Sequence, residues 1–160
     1  MIMKMCCKNE MKDLIELVDN KFGLDNVFVT DFDTQTNKEY LLKQSWFVTF
    51  HNNEDELLGL LILEWVDIRT ASLHFVLFKR GNILKGWRMF LATYGQHFDE
   101  LQTYIPIDRP DVLRISKALG FNHNKDERYY YGRLCTQTET TTTTATTTAC
   151  RRCILPYCPY

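Results

Sequence analysis

Apolar positions early in the chain fall first at helical and then at strand spacing. Met11, Leu14, Ile15, Val18 and Phe22 recur on one side of a helix, and Gly23 follows as a stop. Asp33 to Leu42 reads as a second, weaker helix with a polar start. Three strands are then expected in quick succession. Trp46–His51 is the first, with Asn52–Asp55 as a hairpin-like turn. Leu57–Ile68 is nearly continuous in apolar residues, which predicts a central strand, and Ser72–Lys79 is the third.

The second half gives a stronger helix. From Gly81 to Phe98, Ile83, Trp87, Phe90, Leu91, Tyr94 and Phe98 form one apolar face, while Lys85, Arg88 and Gln96 point elsewhere. Leu101–Ile107 reads as a strand, and Asp108–Asp111 starts a helix with Pro110 in its first turn. Val112, Ile115 and Leu119 are expected to face the core, and Gly120 ends that helix. Tyr129–Leu134 is the last strand. The order is helix, helix, three strands, helix, strand, helix, strand. It implies an α/β fold with a mixed central sheet flanked by helices.

The pattern stops at Cys135. From Thr136 to Thr148 nearly every residue is Thr, and a Cys-containing segment follows. Threonines without apolar alternation bury no face, so 135–160 is expected to be a disordered, flexible tail behind one domain at 1–134. Cys150 and Cys153 have C-x-x-C spacing and Cys158 is a third thiol, but the tail has no His. That leaves a four-ligand zinc set incomplete, so no metal is expected.

Composition narrows the function classes. The 160 residues carry a formal charge of −1 with no basic cluster, which argues against a nucleic-acid partner. No apolar run reaches the roughly 18–20 residues that cross a bilayer. The start, MIMKMCCKNE, lacks the apolar core and cleavage site of a secretion signal. A cytoplasmic protein with no membrane partner and no disulfide framework is expected.

Two segments point to chemistry. Lys79-Arg80-Gly81-Asn82-Ile83-Leu84-Lys85-Gly86 is a basic, Gly-containing turn that opens the strongest helix, and Lys117-Ala118-Leu119-Gly120-Phe121 closes the last one. In this element order they resemble the acyl-CoA-binding end of a GNAT-superfamily N-acetyltransferase, across residues 1–134. The basic residues of the family's loop are kept, while its further small residues are replaced by Asn82 and Ile83 or Leu84.

The resemblance implies acetyl-CoA as cofactor and an amine acceptor as partner. Lys79, Arg80, Gly81, Asn82, Lys85 and Gly86 would hold the pyrophosphate at a helix N-terminus. Phe75 and Leu77 would border the pantetheine arm. Glu64, which interrupts an apolar run, or His74 would act as general base. The family's acid tyrosine slot holds Ser116, so Tyr129, or its neighbours Tyr104, Tyr130 and Tyr131, would protonate the leaving thiolate. The same aromatics equally suit a core, and His74 equally suits a hydrogen-bonded strand position. Asp31 and Asp33 would contact an ammonium or cap a helix.

The implied function is acetyl transfer from acetyl-CoA to a primary amine of a small molecule or protein. The alternative is a catalytically degenerate GNAT-like scaffold, phage-encoded or virion-associated, that acts through protein contacts. A coenzyme A-binding module without turnover is a third reading. Pairing of the final strands through Tyr129–Tyr131 would give a homodimer.

Overall fold

A computed structural model describes residues 1–28, 34–79 and 82–136, without the side chains of 34–37. The elements are β1 (Ile2–Met5), α1 (Lys8–Phe22), α2 (Leu24–Val27), α3 (Thr34–Gln44), β2 (Ser45–His51), β3 (Leu57–Trp65) and β4 (Thr70–Leu77). They continue as α4 (Ile83–Tyr94), a 3-10 turn (Gly95–His97), β5 (Glu100–Pro106), α5 (Pro110–Ala118), β6 (Asn122–Lys125) and β7 (Tyr129–Cys135). The sheet has seven strands in the order β1-β2-β3-β4-β5-β7-β6. Only β4 and β5 run parallel; the other neighbours are antiparallel.

The continuous apolar run of β3 has a simple cause: both faces of the sheet are covered. Leu60 and Ile62 pack with Met11, Ile15, Val18 and Leu41 beneath α1–α3. Leu61 and Leu63, pointing the other way, pack with Trp87, Phe90 and Phe98 beneath α4. Helix α1 begins in a capping box, in which the Cys7 backbone N–H donates to the Glu10 carboxylate at 2.7 Å.

Several expectations need correction. Strand β3 stops at Trp65, and Val66 and Ile68 are exposed. The Asp67 carboxylate accepts from the backbone N–H groups of Arg69 (2.9 Å) and Thr70 (2.8 Å), and this side-chain turn ends the strand despite its apolar sequence. The expected central helix of 81–98 is shorter, its last turn tightening into the 3-10 segment. On α5, Leu119 is buried as expected, but Val112 is only half-buried and Ile115 is exposed, because that flank borders an open cleft.

Two outer strands, β1 and β6, were not foreseen. Asn122–Lys125 has no apolar alternation and forms because β7 offers it a ladder. Strand β7 therefore lies between β5 and β6, so Tyr129–Tyr131 is not a sheet edge and cannot pair edge to edge with a second copy. Strand β7 runs through Cys135, and Thr136 continues it with hydrogen bonds to the carbonyls of Phe98 and Asp99. The Thr-rich remainder lies outside the described residues. Cys6, Cys7 and Cys135 are free thiols. Among the described residues no helix is long and apolar enough to cross a membrane, and no cluster of three His, Cys, Asp or Glu is placed to hold a metal.

Candidate active site

Strands β4 and β5 pair at Thr70–Glu100, Ala71–Leu101 and Ser72–Gln102 and nowhere beyond, although β4 continues to Leu77 and β5 to Pro106. The two strands splay apart there and leave a cleft of about 290 Å³. Its walls are Leu73–Leu77 of β4 and Thr103–Pro106 of β5, with Val112, Ile115 and Ser116 of α5 and Asn26 of α2. Among the described residues the facing strand edges have no ladder partner in this stretch, a geometry into which an extended, amide-bearing ligand fits as a strand would.

One wall carries a carboxylate–imidazole pair. His74 of β4 lines the cleft, and its Nε2 lies 3.3 Å from Oε2 of Glu64 on the adjacent strand β3. The pairing register explains the approach: Glu64 is opposite Ser72 and His74 opposite Ile62, so the two side chains are diagonal neighbours on one face. The His74 ring packs on Phe28, with centroids 4.4 Å apart. Tyr40 of α3 donates to Glu64 from the other side. Burial first, and then the charge and hydrogen bond of Glu64, push the Tyr40 hydroxyl above its ordinary value. The structure thus joins Glu64 and His74, both expected, with Tyr40, which was not. Tyr40 is 24 residues from Glu64 in sequence, and no local pattern announces the contact.

Behind the opposite wall lies a second imidazole. Ser116 of α5 lines the cleft, and its Oγ lies 3.0 Å from Nε2 of His123 on β6. A helix-ending turn brings them together. Gly120, at φ 97°, takes the left-handed conformation, and the N–H groups of Gly120 and Phe121 return to the carbonyls of Lys117 and Ser116. Trp87 pins this turn to α4 by donating its indole N–H to the Leu119 carbonyl at 2.8 Å.

Tyr129 is elsewhere. It borders a shallow groove with Asp25, Asp108, Arg109, Glu127 and Arg128. That groove meets the cleft at Asn26, Pro106 and Arg109. Among the described residues the tyrosine that does line the cleft is Tyr104, whose hydroxyl burial and neighbouring Tyr131 hold above its ordinary value.

The basic turn is partly described. Asn82 caps α4, its Oδ1 accepting from the Lys85 N–H at 3.0 Å. Lys79 pairs with Glu56 at 2.6 Å on the surface, and Lys85 is exposed. Gly86 faces the core: a Cβ there would stand 3.0 Å from the Phe50 ring, so this glycine lets α4 pack closely on β2. Phe75 stacks on Phe50 with centroids 6.0 Å apart, and Leu77 is exposed at the cleft mouth. Arg80, Gly81, Asp31 and Asp33 lie outside the described residues. This end offers an apolar slot with unpaired strand edges, and the N-terminus of α4 with Lys79 and Lys85 nearby.

No family model and no curated protein matches the sequence. Solved structures do match. A spermidine N-acetyltransferase from Vibrio cholerae, in complex with CoA and spermine, is 8% identical, with a TM-score of 0.63 over 84% of this chain and 95% of that one. A dodecameric structure of the spermidine N-acetyltransferase from Vibrio cholerae in an intermediate state is 10% identical, with a TM-score of 0.61 over 84% of this chain and 93% of that one. A mutant of the enzyme gives 10% identity and a TM-score of 0.61 over 85% of this chain and 95% of that one. Parallel β4 and β5 splayed around a cleft and these neighbours agree on architecture: the chain has a GNAT-like fold.

Proposed function

We propose that this protein transfers an acetyl group from acetyl-CoA to a primary amine of a small molecule or protein. The lapse of pairing between β4 and β5 after Ser72 and Gln102 carries this reading, because it opens a slot beside a paired acid and base. Backbone edges of β4 and β5 hold the pantetheine amides, and Phe75 and Leu77 shield its chain. Lys79, Lys85 and the N-terminus of α4, with Arg80 and Gly81 of the same turn, take the phosphates.

The acceptor arrives by the groove that meets the cleft at Asn26. Asp25, Asp108 and Glu127 there attract an ammonium, and Tyr129 forms part of the rim. His74 then removes the ammonium proton. When Nε2–H donates to Glu64, Nδ1 is left as the basic nitrogen, and the Tyr40 hydrogen bond keeps Glu64 in place. Bound acetyl-CoA supplies an activated thioester whose thiolate leaves readily.

Calorimetry tests the first half of this reading, with desulfo-coenzyme A as control. Saturable binding is expected, and no heat at millimolar ligand would sink the proposal. Polyamines and peptide amines are then screened as acceptors. Glu64→Gln and His74→Ala are each expected to lower kcat by about 100-fold or more with acetyl-CoA binding kept. Unchanged turnover in both would remove this wall from the chemistry.

A further inference from the structure

We propose that the notch where β1 leaves the sheet is a second ligand-binding site, for a small planar aromatic acid that carries a ring hydroxyl. The cavity there measures about 460 Å³ and shares no lining residue with the cleft. Strand β1 ends at Met5, opposite Val48, and the Cys6 N–H still reaches the Phe47 carbonyl at 2.9 Å. The chain then turns away into α1. Among the described residues no strand lies beside Ser45 and Trp46 on that side of β2. None of the residues involved belongs to the β4–β5 gap, so the site is independent of the acetyl-CoA reading.

The notch holds a polar group with no partner. Ser45 is 6% exposed, and its hydroxyl makes no hydrogen bond within the protein. Glu64 would be the obvious acceptor, being directly opposite in register and so on the same face of the sheet. That carboxylate is turned instead to His74, at 3.3 Å, and to Tyr40 of α3. Buried hydroxyls are nearly always paired, because an unpaired one forfeits its hydration with nothing in return. Ser45 lines the cavity, so a ligand there is placed to supply the missing bond.

The walls select a flat guest. Trp46 and Trp65 meet edge to face with centroids 4.9 Å apart, His97 lies 6.0 Å from Trp46, and Tyr94 lies 6.4 Å from His97. All four line the cavity and none is fully buried, so ring surface is left to pack on. Charge selects the sign. Lys8 and Lys43 line the cavity and are exposed, and among the described residues no Asp or Glu lines it. Lys43 makes a loose 3.9 Å pair with Glu39. Helix α1 adds little of its own, because the Cys7 N–H at its start is already held by Glu10. A carboxylate at the lysines, a ring against the tryptophans and a hydroxyl at Ser45 satisfy all three parts of the notch at once.

The full chain is titrated with meta- and para-hydroxybenzoate while NMR follows the indole N–H resonances of its three tryptophans. Benzoate, without the hydroxyl, and para-hydroxybenzyl alcohol, without the charge, are the comparison probes. Saturable shifts of Trp46 and Trp65 are expected, while Trp87, whose indole is held by the Leu119 carbonyl, stays put. Ser45→Ala should weaken the hydroxybenzoates about 10-fold and leave benzoate unchanged. Lys8→Gln combined with Lys43→Gln should weaken every acid about 5-fold and leave the alcohol unchanged. These two surface changes keep the test open should Ser45→Ala disturb the fold. Saturating acetyl-CoA should not displace the probe. The site is overturned by any of three results: no saturable shift at millimolar hydroxybenzoate, loss of the shift on adding acetyl-CoA, or affinities that the variants leave unchanged.

Discussion

The two halves of the sheet are joined very differently from the way each is built. Strands β1 to β4 form an antiparallel unit with helices on both faces, and β3 pairs with β4 at seven positions from Gly59 to Trp65. Strands β5, β7 and β6 form a second antiparallel unit, tied to the first by the three pairs that end at Ser72 and Gln102. On one face of this second unit Tyr104 is exposed and Tyr129 and Tyr131 are half-buried, beside Arg133. The first half is a packed body, and the second is a flap of sheet that shares its base and then diverges. Where they part, the facing backbone lacks a ladder partner among the described residues, and side chains from both halves line the gap.

The sharpest test of that contrast truncates one apolar side chain on each side. Phe90, fully buried beneath the first half, should cost about 3–5 kcal/mol when changed to Ala, read as a lower denaturation midpoint at unchanged slope. Ile115→Ala on the cleft wall should stay within about 0.5 kcal/mol. Equal losses would mean that the cleft is as tightly packed as the core.

Gly132→Ala probes the second half. The added methyl would displace the His123 ring or the Thr103 side chain, at about 1–3 kcal/mol. It should also move the His123 ring resonances in an NMR titration, and a silent His123 would mean that the ring has room to spare.

The smallest expected effect is that of pH. With the folded His123 below its ordinary value of 6.5, the unfolded chain binds the proton more readily. The stability associated with the neutral ring is present above pH 6.5 and falls as pH drops from there through the lowered folded value. His123→Gln should flatten that part of the stability–pH curve, and an unaltered curve would assign the slope to carboxylates instead.

Much of the first half was legible because burial on both sides writes itself into sequence. The run in β3 and the faces of α1 and α4 follow from periods that packing imposes. What escaped was set by neighbours in space. Asn122–Lys125 is a strand only because β7 lies beside it, and Ile68 is outside because Asp67 turns the chain. At the site, Glu64 and His74 stood out as polar interruptions of apolar strands. Tyr40 gave no such signal, being one more aromatic on a helix. Ser116 could be placed in sequence, but not its partner, because the six intervening residues hide a turn whose geometry depends on Gly120.

The outer strands have one more consequence. Strand β1 and strand β6 are four residues each, and each carries a lysine, Lys4 or Lys125. Lys4 is tied across to Asp55 at 2.7 Å. Short, charged borders are poor templates for a stray β-segment, so a nascent or misfolded copy finds little to nucleate on. The unpaired backbone lies instead inside the sheet, between β4 and β5, where a guest would have to thread a gap rather than line up along a border. Resistance to fibre growth and readiness to accept a ligand thus follow from one choice, that of where the molecule leaves its backbone unpaired.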